Sequence, residues 1–198
     1  QVMHWKGEEG DSYIERNTVK DLVPAYSAMW SRILPKTRGV KSVLEVGANV
    51  GANLRAIRYL DPQIECAGIE PNKAARSELE SAGFDCYAKT AEEPWGLAAY
   101  DLVFTRGVLI HINPAVLHLV YENMHKHSTR YIVMAEYFAP KREMIPYRGK
   151  DNLLWRADYA GEIMDAYPGL KLVDYFFIYK RDLLSPQDNI TIFIMEKT

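Results

Sequence analysis

The chain has 198 residues, a length that suits one domain, since domains commonly run to about 100–200 residues. It is 48% hydrophobic and 25% charged and holds no stretch near the ~18 apolar residues of a membrane span, so a soluble globular protein is expected. With 24 basic against 26 acidic residues the formal charge is -2, which excludes a global positive field for gripping a phosphate backbone, and no extensive nucleic-acid surface is expected.

The N-terminal stretch QVMHWKGEEGDSYIERN is polar and acidic, without the basic start and apolar core of a signal peptide, and nothing suggests export. A helix is predicted over Thr18 to Leu34, where Val19, Leu22, Val23, Tyr26, Met29, Trp30 and Ile33 recur at helical spacing before Pro35. KSVLEVG reads as the first strand and ANLRAIRYL as the helix behind it. CAGIEPN is the second strand, AARSELESAG its helix, and FDCYAKT a third strand. YDLVFTRGVLIHI begins as a buried strand, PAVLHLVYENMHKHS has helical period, and RYIVMAEYF is the fifth strand. After a long irregular stretch, LKLVDYFFIYK and NITIFIMEK close the chain as two more strands. Short β-branched runs alternating with helical segments favour an α/β fold with a largely parallel sheet. No repeat or linker divides the chain. Cys66 and Cys86 are too few and too far apart for a zinc pattern and read as two reduced thiols of a cytoplasmic protein.

The stretch VLEVGANVGANL carries the chemistry. A strand that runs through a glycine-rich turn into a helix lets backbone approach a ligand closely and offers N–H groups at the helix start. The turn has Gly47, Asn49 and Gly51, a G-x-N-x-G spacing that does not match the G-x-G-x-x-G of dinucleotide sites. It also lacks the G-K-[ST] of a phosphate-binding P-loop. This turn resembles the first motif of class I S-adenosylmethionine-dependent methyltransferases, an acidic residue followed by G-x-G-x-G with substitution tolerated at the centre.

That resemblance implies a three-layer Rossmann-like fold, α/β, with a seven-stranded, mostly parallel sheet and helices on both faces. The implied cofactor is S-adenosyl-L-methionine, with S-adenosyl-L-homocysteine as product. Glu45, Gly47, Asn49, Gly51 and Asn53 would hold the methionine part. Glu70 and Pro71, in GIEPN roughly 20 residues on, would take the ribose hydroxyls, as an acidic residue at the second strand end does in nucleoside sites. Thr90, Ala91 and Glu92 in KTAEEPW would lie over the adenine, although Glu92 and Glu93 read equally as a solvated loop. Arg106, Gly107 and Val108 in TRGVLIHINP would sit near the methionine amino group. The [DN]-P-P-[YF] signature of amide and base-amino methylation is missing from this segment.

Longer stretches, WKGEEGDSYIERN, TRGVLIHINP, AEYF, IPYRGKDNLLWRADYAGEIMD and LVDY, resemble a bacterial group of pseudaminic acid biosynthesis-associated methylases over nearly the whole chain. This implies a small-molecule substrate, a sugar or nucleotide-sugar of surface-glycan biosynthesis, methylated on O or N. A methyltransferase acting on nucleic acid or protein, and a cofactor-binding protein that has lost catalysis, are the alternatives. On this reading residues 1–35 form an N-terminal lid and helix, and 40–198 form the cofactor-binding core with a substrate-side insertion at about 139–168.

Several residues carry two readings. Tyr13, Arg16 and Asn17 form either a lid over the cofactor or a packed segment in which Asn17 caps the first helix. His111, beyond the fourth strand, is either the base that takes a proton from the acceptor or a helix-start or core hydrogen bond. Glu136 and Tyr137 end the fifth strand on the same edge as candidate substrate residues. Tyr147 and Arg148 could close over substrate, the Arg fork suiting carboxylate or phosphate, or Arg148 pairs with Asp151 or Asp158. His118, His125 and His127 are expected on the surface, and no metal constellation is seen. The oligomeric state is not legible.

Overall fold

The computed structural model describes residues 19–147 and 150–198. Its main sheet has seven strands. β1 (Ser42–Val46), β2 (Glu65–Ile69), β3 (Asp85–Tyr87), β4 (Tyr100–Arg106) and β5 (Ser128–Glu136) run parallel to one another. β9 (Ile190–Lys197) is antiparallel both to β5 and to β8 (Leu170–Ile178) at the far edge. The order is β3-β2-β1-β4-β5-β9-β8. The chain reverses direction across the sheet between β1 and β4, and ligands bind beyond the carboxyl ends of strands at such a point.

The central strands β1, β4 and β5 are buried on both faces, while the edge strand β8 is largely exposed, and alternation sorts the inner side chains between two cores. Val43, Leu102, Phe104, Val133 and Ile194 point toward α1 (Val19–Ile33), α2 (Ala52–Leu60) and α3 (Lys73–Ser81). Leu44, Val103, Ile132, Met134 and Met195 point toward α4 (Leu117–His127) and α5 (Tyr159–Ala166). Each such aliphatic side chain, fully buried, contributes about 1.5–3 kcal/mol of transfer free energy. In α1, Trp30 is fully buried and meets Phe104 edge to face with ring centroids 4.6 Å apart, which fixes that helix across the glycine turn.

The elements predicted from sequence are present, with ends that differ by a few residues, β2 and β5 starting earlier and most others stopping sooner. β3 keeps three residues, and β4 stops at Arg106 because Gly107, at φ 64, turns the chain into a 3-10 helix over Leu109–His111. The stretch read as irregular holds structure. β6 (Glu143–Tyr147) and β7 (Lys150–Arg156) pair as an antiparallel hairpin, and α5 follows, capped by Asp158, whose carboxylate accepts from Gly161 N at 2.8 Å. Arg142 ties the base of the hairpin to both carboxylate oxygens of Glu162 on α5 at 2.5 and 2.6 Å.

Of the three histidines expected on the surface, His118 is exposed, His125 is half-buried and His127 is buried. His127 is 3% exposed, bonded through Nδ1 to Asn123 O and packed on Trp95, and His125 stacks on Tyr167 at 4.0 Å. α4 buries Leu117, Val120, Met124 and His127, a 3–4 spacing that places His127 on the inner stripe. Among the described residues no helix is long and apolar enough to cross a membrane.

Candidate functional site

The turn after β1 answers for its own spacing. Gly47, Asn49 and Gly51 have φ of 71, 47 and 75, so every second residue is left-handed, the conformation glycine adopts freely and asparagine tolerates best among the rest. Gly47 N and Ala48 N both donate to Ile69 O, at 2.8 and 3.0 Å, tying the turn to β2. A Cβ at Gly47 would meet Val108 Cγ2 at 2.6 Å, and one at Gly51 would meet Leu79 Cδ2 at 2.4 Å. Gly47 therefore lets the turn lie against the segment after β4, and Gly51 lets α2 start against α3.

A cavity of about 330 Å³ opens at this point, within the roughly 300–1,000 Å³ usual for small-molecule sites. Glu45, at the inner end, is 2% exposed. Its Oε1 accepts from Asn53 Nδ2 at 2.7 Å, and Asn53 Oδ1 in turn accepts from Trp30 Nε1 at 3.2 Å. Its Oε2 is buried with no hydrogen-bond partner among the described residues. Burial pushes its pKa well up, against the pull of the Asn53 bond and of the Arg106 charge. A cation in the cavity would satisfy that oxygen and restore the charge.

Glu70, just beyond β2, has both carboxylate oxygens on backbone donors: Oε2 accepts from Asn49 N and Oε1 from Asn72 N, each at 2.8 Å. An oxygen of a carboxylate has two acceptor positions, so each retains one for a ligand hydroxyl. Arg76 holds the same loop through Glu70 O and Pro71 O. Burial raises the pKa of Glu70, opposed by the Asn72 and Asn49 N–H groups. Thr90, Ala91 and Glu92 form the next wall. Their loop is fixed by Trp95 Nε1 on Thr90 O and by Asn123 Nδ2 on Ala91 O and Glu93 O, at 2.9–3.1 Å.

Arg106 lies opposite, with its guanidinium 4.0 Å over the Tyr26 ring and Nη2 donating to Gln187 Oε1 at 3.0 Å. Gln187 Nε2 donates to Ala25 O of α1. The Nε of Arg106 is buried with no partner among the described residues, a donor suited to an anionic group. His111 lines the outer part of the cavity with Ile112, Asn113 and Val116. Its Nδ1 lies 2.8 Å from Leu153 O in β7. A carbonyl only accepts, so Nδ1 carries the proton, and in the neutral ring the basic lone pair is on Nε2.

Of the residues singled out from sequence, Glu45, Gly47, Asn49, Asn53, Glu70, Pro71, Thr90, Ala91, Glu92, Arg106, Gly107, Val108 and His111 come together around this cavity. Gly51 stands behind it as the left-handed residue that starts α2. Glu136 and Tyr137 do not line it. Glu136 is 3% exposed and turned inward, its Oε1 accepting from Val108 N and Leu109 N at 3.1 and 3.2 Å, while Tyr137 packs between the two cores. Tyr147 ends β6. Tyr13, Arg16, Asn17 and Arg148 lie outside the described residues.

Sequence reasoning missed Leu22 and Tyr26 of α1 and Ile112, Asn113 and Val116 of the outer part of the cavity. The helical stripe of α1 held both of its residues, but periodicity marks a buried face without saying what it covers. Among the described residues no group of three His, Cys, Asp or Glu could hold a metal ion.

Solved structures place this architecture. An amino pentose methyltransferase of calicheamicin biosynthesis from Micromonospora echinaspora, with S-adenosylmethionine bound, matches at TM-score 0.65 and 12% identity over 96% of each chain. The fold is that of class I methyltransferases. A Burkholderia thailandensis N1-methyltransferase holding 1,6-didemethyltoxoflavin and S-adenosylhomocysteine matches at TM-score 0.65 and 16% identity, over 89% of this chain and 78% of that one. An O-methyltransferase from a polyketide synthase of Brevibacillus brevis, complexed with S-adenosylhomocysteine, matches at 0.63 and 15% identity, over 81% and 67%. No family model and no curated protein matches the sequence.

Proposed function

We propose that this protein transfers a methyl group from S-adenosyl-L-methionine to an oxygen or nitrogen of a small molecule, releasing S-adenosyl-L-homocysteine. The observation that carries the reading is the pair of buried carboxylates, Glu45 and Glu70, flanking one left-handed glycine turn in one cavity. The orphan Oε2 of Glu45 suits a cationic ligand, and S-adenosylmethionine carries an ammonium and a sulfonium. Glu70 suits the vicinal hydroxyls of its ribose, and the buried Arg106 Nε suits its carboxylate. Thr90, Ala91 and Glu92 would face the adenine. When bound, the cofactor supplies an electrophilic methyl group on sulfur.

The protein's own part is to align and to move one proton. The turn at Gly47 and the segment at Gly107 and Val108 hold the donor side, while His111, Ile112, Asn113 and Val116 form the acceptor side, so that the nucleophile is presented in line with the breaking bond. Held by Glu45, Glu70 and the glycine turn, the cofactor would supply its methyl group to the acceptor atom and would keep the electron pair of the broken bond on sulfur. The acceptor's proton passes to Nε2 of His111, whose ring is set by Leu153 O.

For the acceptor we propose a sugar or nucleotide-sugar of surface-glycan biosynthesis. The likeness of TRGVLIHINP and IPYRGKDNLLWRADYAGEIMD to pseudaminic acid biosynthesis-associated methylases supports it. So does a structural neighbour that methylates an amino pentose.

The test is transfer of a labelled methyl group from S-adenosylmethionine to a panel of nucleotide-sugars and free acidic sugars, by wild type and His111→Ala. The expected result is turnover with at least one acceptor. The variant should fall by about 10²–10⁴-fold, the usual contribution of a general base, while binding S-adenosylhomocysteine unchanged. Equal turnover in the variant would return His111 to a structural role, and transfer to a protein or nucleic-acid substrate alone would overturn the small-molecule assignment.

A further inference from the structure

The segment from Gly107 to His111 joins the two halves of the cavity and is anchored at its ends, Gly107 N donating to Ala135 O at 2.9 Å and His111 Nδ1 lying 2.8 Å from Leu153 O. Val108 packs against Gly47 so closely that a Cβ on the glycine would meet Val108 Cγ2 at 2.6 Å. Three residues on, His111 faces the acceptor side. Between them lies a 3-10 turn over Leu109–His111 whose first position, Val108, has no side-chain acceptor to satisfy the N–H groups at the turn's start. That acceptor comes from the neighbouring strand. Glu136, the last residue of β5, is 3% exposed and receives Val108 N at 3.1 Å and Leu109 N at 3.2 Å on a single oxygen.

We propose that Glu136 is a positioning residue, capping this turn from β5 and so setting His111 against the glycine turn that Val108 contacts. The proposal rests on the reading of the cavity as a methyl-transfer site and goes beyond it in assigning to a buried carboxylate, outside the cavity wall, the alignment of donor and acceptor sides.

Burial raises the Glu136 pKa to about 7, opposed by the Val108 and Leu109 N–H groups. Its Oε2 and the Thr105 Oγ1 are both buried without a hydrogen-bond partner among the described residues. From α5 it faces Tyr159, whose own pKa burial pushes up and Glu136 raises further, with Arg142 and Glu162 beyond. The carboxylate therefore changes charge near neutral pH, and the two amides that it receives must register the change.

The experiment follows the amide signals of Val108 and Leu109 by NMR from pH 5.5 to 8.5 in the ligand-free protein. In parallel, S-adenosylhomocysteine affinity is measured by calorimetry for wild type, Glu136→Gln and Glu136→Ala. Both amides should shift together with an apparent pKa near 7, and the shift should vanish in Glu136→Gln. Glu136→Gln keeps an oxygen acceptor and should bind within about threefold of wild type. Glu136→Ala leaves two N–H groups unsatisfied and should bind about tenfold more weakly or worse. If Glu136→Ala fails to fold, the titration and its loss in Glu136→Gln still decide the contact.

Val108 and Leu109 amide signals that are the same in Glu136→Gln as in wild type, or Glu136→Ala affinity equal to wild type, would overturn the positioning role. A wild type that titrates as expected yet binds no S-adenosylhomocysteine would instead overturn the cofactor reading.

Discussion

Glu45, next to last in β1, and Glu70, just beyond β2, bring two buried carboxylates to one cavity on either side of the glycine turn. Removing Glu70 takes away both the ligand acceptors and the bonds to Asn49 N and Asn72 N. Glu70→Ala should therefore weaken S-adenosylhomocysteine binding more than tenfold, on the order of the ~1.5–3 kcal/mol of hydrogen bonds to a charged group. Glu45 gives a second prediction, about protons. Burial holds its pKa up in the free protein, and a cation against Oε2 favours the ionised form, so binding lowers that pKa and releases a proton. Affinity for S-adenosylmethionine should rise with pH across the interval between bound and free pKa values. Calorimetry in two buffers of different ionisation enthalpy measures the release, and Glu45→Gln should abolish it. Glu136 was harder to place. Every residue of β5 from Tyr131 to Glu136 is buried, so no alternation reveals which way the last side chain turns, and a carboxylate at a strand end reads as ligand-facing when it caps a neighbouring loop.

At the scale of elements, the glycine turn and the strands beside it follow from composition, whereas the β6–β7 hairpin does not. EMIPY and KDNLLWR are short, one holds a proline and the other is polar at its start, so neither presents the apolar run of the main sheet. Yet this hairpin supplies Leu153 O to His111, a contact made across 42 residues that no local pattern encodes. Gln187 is similar: it joins Arg106 to α1 from the loop before β9, where sequence shows only polar turn residues. The turn itself yields a paired prediction. Gly51→Ala forces a left-handed residue and a 2.4 Å contact with Leu79 Cδ2, and should destabilise by roughly 2–5 kcal/mol, adding ~1–2 for backbone to ~1–3 for overpacking. Asn49→Gly keeps φ 47 accessible and should change stability by less than about 1 kcal/mol. Urea melts compare the two, and equal losses would contradict the left-handed alternation.

For the whole molecule, three buried carboxylates, Glu45, Glu70 and Glu136, have raised pKa values. Between the ordinary carboxyl value and the folded one, the folded state holds more protons than the unfolded, so their contribution to stability falls as pH rises. For Glu136 this window runs from 4.5 to about 7. The excess stability of wild type over Glu136→Gln should therefore shrink across it by an amount on the order of 3 kcal/mol. Calorimetric melts at pH 5 and 7.5 read the difference, and a constant gap would contradict it. The same three carboxylates sit around the ligand cavity or behind its joint, so the site is assembled at the expense of neutral-pH stability and is relieved when a cation arrives. That makes binding the most direct question. Titration of the purified protein with S-adenosylmethionine and S-adenosylhomocysteine should show micromolar affinity for both, lost more than tenfold in Glu70→Ala. No heat of binding from either ligand at millimolar concentration would contradict the assignment of this cavity to the cofactor.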